Sequence, residues 1–283
     1  MKMLNKYDRH ITEDGEIGVF VPDTANAVIR TQAEIERARM FASFPARKRF
    51  NHGRNYFVSY NDKVAEIIRD LSLTEAGALI KLLLTLKVND NGRITTGDKP
   101  LNKTDIARLF GRSKSNTNGI IDRLMAIDVL LYDEVGKCFR INDKYHVMGT
   151  TAANAVFTKM YTVRAREIVA GLKLNEIGLL YKIIPFFHYE EYYLCVNANA
   201  NAKHIEYMGR EGLAQEVGHA PETVSRLVGK LQNAGAILTS GTRNEVRYLV
   251  HPDLLFRQAE GTETKWTWAV RKMFEDHAKK ARK

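Results

Sequence analysis

Cysteine is scarce in this 283-residue chain: Cys138 and Cys195 stand far apart, and neither has a partner at zinc-ligand spacing. That argues against a metal-stapled fold and favours a reducing, cytoplasmic setting. No stretch approaches 18 consecutive apolar residues, which excludes a transmembrane helix. The opening "MKMLNKYDRHITEDGE" lacks the apolar core of a secretory signal. Phosphate-loop (G-x-x-x-x-G-K-[ST]) and dinucleotide (G-x-G-x-x-G) motifs are both missing. The eight histidines include no H-E-x-x-H pair and no two spaced one residue apart, as a strand-nicking His-hydrophobe-His centre would need. His146, His204, His219 and His251 therefore read as surface or capping groups. The chain is expected not to be an enzyme, and no catalytic residue, metal ligand or cofactor is assigned.

What is present is charge. Of the residues, 45% are hydrophobic and 27% charged, a globular composition with length for two domains. Lys and Arg number 43 against 33 acids, a net charge of +10. Such a surplus suits a polyanionic partner, nucleic acid or an anionic surface. Part of it is concentrated: "ARKRFNHGR" (46–54) carries Arg47, Lys48, Arg49 and Arg54 without an acid, and the chain ends "KKARK". A solvated face and a solubilising tail are the plainer reading of both runs.

The chain repeats itself. "LSLTEAGALIKLLL" (71–84) aligns with "LKLNEIGLLYKIIP" (172–185) at a spacing of 101, matching Leu71 with Leu172, Glu75 with Glu176, Gly77 with Gly178 and Lys81 with Lys182. Thr74 and Asn175 are placed as N-caps of the two helices. Polar, Asn-rich loops follow, "NDNGRITTGDKP" and "NANANAKHIEYMG". Beyond them the spacing becomes 107: "TDIARLFG" meets "EGLAQEVG", and Ile120, Leu124 and Leu130 meet Leu227, Leu231 and Ile237. The pattern is two short helices joined by a tight turn, twice. Ala107 and Ala214 suit the close crossing of the helices, and Gly111 and Gly218 suit the positive φ that ends the first. Hairpin signals follow in "VLLYDEVGKCFRI" and "AILTSGTRNEVRYLV". This order predicts an α+β protein, mainly α with small β-hairpin wings: two tandem winged helix-turn-helix domains over 57–149 and 157–258, with a linker at 150–156.

In a winged helix the second helix of the turn enters the major groove and its first turns reach base edges. Those residues are Pro221, Glu222, Thr223, Ser225 and Arg226, then Lys230, in the second unit. In the first they are Arg112, Ser113, Lys114, Ser115, Asn116 and Asn118, with Arg123 aligned to Lys230. Arg226 suits a bidentate contact to guanine, Thr223 a thymine methyl or phosphate, and the asparagines adenine edges. The wings add Lys137 and Arg140 in one unit and Thr242, Arg243, Asn244 and Arg247 in the other. The second wing is favoured, because Asp133 and Glu134 sit beside Lys137 and oppose a phosphate. Gly119 within the first recognition helix weakens it by about 1 kcal/mol relative to alanine.

Residues 1–56, the N-terminal extension, hold a strand-like "EIGVFV", a helical "TANAVIRTQAEIERARMFASF" and the basic run. They read either as an arm lying along phosphate or joining a partner, or as an extra helix packed on the first unit. The C-terminal segment 259–283 reads as a basic amphipathic helix, with Trp266, Val270, Met273 and Phe274 on one side and Arg271, Lys272 and Lys279 on the other. Its apolar stripe fits the protein's own body or a second subunit, giving a homodimer, better than a membrane.

"FTKMYTVRAREIVAGLKLNEIGLLYKIIPFFHYEEYYLCVN", "REGLAQEVGHAPETVSRLVGKLQNAGAIL" and the closing "RYLVHPDLLFR" resemble the winged-helix replication and regulatory proteins of Gram-positive plasmids and phages. The likeness covers 157–258 well and 57–149 loosely. It is shared by regulators of the MarR type. It implies binding of double-stranded DNA at an origin or operator by a cytoplasmic, nucleoid-associated protein without nuclease or ATPase activity. The competing expectation is a winged-helix interaction module that docks on host polymerase, replication or transcription proteins.

Overall fold

The computed structural model describes residues 9–11, 17–19, 55–151, 155–241, 245–258 and 263–280. Residues 54–283 form one compact unit and 1–53 another. In the latter, β1 (Arg9–Ile11) pairs antiparallel with β2 (Ile17–Val19). The helical stretch of the extension and its basic run, Arg47, Lys48 and Arg49 included, lie outside the described residues.

The compact unit is α+β, with helices around small antiparallel sheets. It opens with β3 (Tyr56–Tyr60), α1 (Asn61–Ile67) and α2 (Leu73–Leu83). After a loop carrying β4 (Thr95–Thr96) and β5 (Lys99–Pro100) come α3 (Lys103–Phe110), α4 (Lys114–Ala126), the hairpin β6 (Leu130–Asp133) and β7 (Cys138–Ile141), and β8 (His146–Val147). The order then recurs: β9 (Phe157–Tyr161), α5 (Thr162–Ala170), α6 (Leu174–Lys182), α7 (Arg210–Val217), α8 (Pro221–Asn233), hairpin β10 (Ile237–Gly241) and β11 (Val246–Val250), and β12 (Leu255–Phe256). A last helix, α9 (Lys265–Lys280), closes it. In place of β4 and β5 the second loop has a short 3-10 helix, Ala202–His204, and isolated bridges such as Cys195 with Tyr207.

The copies are joined by a shared sheet of order β12-β9-β3-β8. In its centre β3 runs antiparallel to β9, with Tyr56 opposite Tyr161, Val58 opposite Lys159 and Tyr60 opposite Phe157. Adding 101 to each β3 number turns Tyr56 into Phe157, Val58 into Lys159 and Tyr60 into Tyr161, so the register maps onto itself. The flanks obey the same rule: β8 lies on β3 with His146 opposite Ser59, and β12 lies on β9 with Leu255 opposite Met160. A local two-fold axis therefore passes between Val58 and Lys159.

Helices α2 and α6 cross on that axis at backbone contact. A Cβ on Gly77 would stand 1.9 Å from the carbonyl oxygen of Leu174, and one on Gly178 1.9 Å from that of Leu73. Only hydrogen fits at either position. Around this crossing, buried side chains of both copies form one continuous core.

The helix starts differ from the sequence expectation. Ser72, not Thr74, caps α2, accepting from the Glu75 amide at 3.2 Å while the Glu75 carboxylate accepts from the Ser72 amide at 2.7 Å. Lys173, not Asn175, is the cap position of α6, and Glu176 accepts from its amide at 2.8 Å. The glutamate three residues beyond the cap sets both starts, which puts Thr74 and Asn175 inside the first turn.

Helix α9 packs on its own chain through Thr267, Val270 and Phe274, with Trp266 half-buried and Met273 exposed. Arg271 is not on an outer charged face, as its sequence position suggested. It pairs with Asp253 at 2.8 Å and Glu263 at 2.6 Å, only 11% of its side chain exposed. Among the described residues no helix is long and apolar enough to cross a membrane.

Candidate nucleic-acid interface

Each copy presents its second helix by the same construction. In α3–α4, Asn102 caps the first helix, Gly111 (φ 65°) ends it in the left-handed region, and Ser113 caps the second by accepting from the Asn116 amide. In α7–α8, Gly218 (φ 71°) makes the same stop and Pro221 opens α8, where its missing N–H leaves no unmet donor. Ala107 and Ala214 are buried where the pairs cross.

A lysine from the central helix behind each turn holds it in place. Lys182 Nζ donates to the Val217 carbonyl at 2.9 Å, and Lys81 Nζ donates to the Leu109 carbonyl at 3.0 Å. Both supply a cation to carbonyls at a helix C-terminus. Burial lowers both ammonium groups, Lys182 to about 8. Beside it, His219 in the α7–α8 turn is also lowered, by burial first and then by the Lys182 charge; its Nε2 is buried and makes no hydrogen bond. The 101-residue spacing pairs the two lysines in sequence, and the carbonyl each one holds is visible only in the fold.

In α8, Glu222, Arg226 and Lys230 are exposed, Pro221 and Thr223 are half-buried, and Val224, Leu227, Val228 and Leu231 are buried. Ser225 is half-buried as well, and its hydroxyl is covered and makes no hydrogen bond. The outer face of α4 carries Lys114, Ser115, Asn116 and Asn118, with Arg112 and Ser113 exposed in the turn before it. Arg123 is exposed but donates to the Asp70 carbonyl at 3.1 Å.

The hairpins differ in charge. In the first, Asp133 accepts from the amides of Val135 and Gly136, and its pKa is held down chiefly by the Gly136 bond. Arg140 is turned inward, donating to the Asn91 carbonyl at 2.8 Å and lying 3.6 Å from Asp133. Lys137 is exposed in the turn with φ 46°. In the second hairpin Arg247 lies over the Tyr207 ring at 4.0 Å. With Arg210, Glu211 and Glu245 it lines a groove of about 580 Å³ between the start of α7 and the hairpin. Thr242, Arg243 and Asn244 lie outside the described residues.

His146, read from sequence as a surface or capping group, is fully buried in the shared sheet. Its Nδ1 is 2.9 Å from Ser59 Oγ and its Nε2 2.9 Å from Tyr181 Oη. Burial pushes its pKa down to about 3. His251 is buried as well, its Nδ1 accepting from the Asp253 amide and its ring 4.5 Å from that of Phe274.

Residues 207–237 match the family model described as bacterial regulatory proteins, crp family. That segment is α7, the Gly218 turn, α8 and the first residue of β10. The match supports a DNA-binding helix-turn-helix of a transcription regulator there. No curated protein and no solved structure was found to match the chain.

Proposed function

We propose that this protein is a sequence-specific reader of double-stranded DNA, built from two tandem winged helices in one chain. The helix-turn-helix match over 207–237 is the premise. The observation that carries the reading is α8: Glu222 and Arg226 stand exposed on its first two turns and Lys230 on its last, while Val224, Leu227 and Leu231 anchor it. An α-helix so presented fits the major groove, with Arg226 placed for a guanine edge and Lys230 for a phosphate. Helix α4 carries different groups, Ser115, Asn116 and Asn118, so the two half-sites are unequal.

The match favours regulation of transcription. The likeness to plasmid and phage proteins extends the proposal to initiation at an origin. Selection of random duplexes by the full chain, followed by binding titrated against salt, tests the DNA reading. A bipartite consensus with a steep salt slope is expected. Weak binding without a consensus overturns it. Docking on a host protein is the second reading, favoured by the first hairpin, whose tip carries Asp133, Glu134 and a 96% exposed Val135.

A further inference from the structure

A tandem duplication suggests half-sites read head to tail. The geometry points to the opposite: the DNA site of this protein is an inverted repeat of two unequal half-sites, its dyad on the axis between Val58 and Lys159. This inference rests on the DNA reading above and adds the direction in which each helix reads.

The symmetry extends from the central sheet to the helix-turn-helix pairs. The β3–β9 register and the Gly77 and Gly178 contacts fix the axis at the centre. Lys81 and Lys182, equivalent under the 101-residue spacing, reach from α2 and α6 to the ends of α3 and α7, at carbonyls that correspond within one residue. Farther out, β7 is bridged to the preceding loop by Arg93 with Arg140, and β11 by Tyr193 with Leu249. So the axis that exchanges α2 with α6 also exchanges α4 with α8. Two elements related by a two-fold axis meet one straight duplex equivalently only when the duplex dyad lies on that axis, as in a symmetric dimer on a palindrome. Here a single chain supplies both halves, and the exposed side chains of α4 and α8 make the two reading faces different.

Unequal half-sites hide their relative direction, so the test makes them equal. At the 107-residue spacing, Ser115, Asn116, Asn118 and Gly119 correspond to Glu222, Thr223, Ser225 and Arg226. A Cβ at Gly119 meets nothing within 4 Å, so that position accepts a side chain. Ser115→Glu, Asn116→Thr, Asn118→Ser and Gly119→Arg together give α4 the reading face of α8. The reciprocal variant, Glu222→Ser, Thr223→Asn, Ser225→Asn and Arg226→Gly, gives α8 the face of α4. Each full-length variant is put through the same random-duplex selection as the wild type. A palindrome of one half-site is expected from either, with centres about one helical turn, or a multiple of it, apart. A direct repeat from either variant overturns the inference while leaving the DNA reading intact, and so does a site that retains only one half. If the wild type itself selects no consensus, the DNA reading fails and this inference with it. Circular dichroism of both variants identifies a misfolded one, and the other then decides.

Discussion

Gly77 of α2 and Gly178 of α6 each face the backbone of the other helix, with space for hydrogen and nothing larger. The two contacts are one contact seen twice, because Leu73 and Leu174, whose carbonyls are approached, are related by the same 101-residue spacing as the glycines. Within residues 55–258 the two copies pack on each other as the halves of a symmetric dimer would.

Alanine at either glycine is expected to push the central helices apart. Gly77→Ala or Gly178→Ala should cost about 3 kcal/mol or more, since backbone rather than a flexible side chain must move. Gly119→Ala is the control: it meets open space within a helix and should stabilise by up to about 1 kcal/mol. Urea unfolding of the three variants checks both. Equal effects at Gly77 and Gly119 would contradict the close crossing.

The Ser59, His146 and Tyr181 network has an apolar counterpart across the axis, since their repeat mates are Met160, Leu255 and Ile80, all buried. His146→Leu alone strands two buried hydroxyls and should cost about 1–3 kcal/mol for each. Adding Ser59→Met and Tyr181→Ile removes the stranded groups and should recover most of that loss. No recovery in the triple variant, read by thermal unfolding, would mean that the network holds more than pairwise bonds.

The same histidine predicts an acid response. Buried neutral with a pKa of about 3, against 6.5 when unfolded, it binds fewer protons folded than unfolded between those values. Stability from this source is complete above pH 6.5 and is lost as pH falls toward 3, at no more than about 1.4 kcal/mol per pH unit. Glu66, Asp98 and Asp133, whose pKa values are also depressed, act in the same direction. The histidine's share is therefore the difference in acid slope between the wild type and the triple variant.

Lys182 acts at the alkaline end. Its folded pKa of about 8 lies below the usual 10.5, so the unfolded chain holds more protons between these values and stability rises with pH across that window. Lys182→Met should remove that rise. Denaturant midpoints at pH 7.5, 9 and 10 compare the two proteins, and identical profiles would show that the ammonium is not desolvated.

On DNA, Arg226→Ala should cost about 1–3 kcal/mol and relax the consensus at one position, whereas Lys230→Ala should weaken all sequences alike and lower the salt slope by about 1. Equal loss on specific and random duplex for Arg226→Ala would remove its base-reading role.

Much of this was legible in the chain itself. The repeat, the stops at Gly111 and Gly218, the hairpins and the exposed residues of α4 and α8 all follow from short-range rules: apolar spacing, helix stop chemistry and strand alternation. Those rules act over a few residues, so one stretch of sequence contains them whole. What local spacing leaves open lies where distant segments meet. His146 and Arg271 look like surface groups until β3 and α6 close around the one and Asp253 and Glu263 pair with the other. The alignment paired Gly77 with Gly178 and Lys81 with Lys182, but only the fold shows what they touch. Above all, a duplicated sequence carries no sign of how its copies face each other. That orientation was decided by the antiparallel pairing of β3 with β9, a contact between residues about a hundred positions apart whose backbone hydrogen bonds leave no mark on side-chain type.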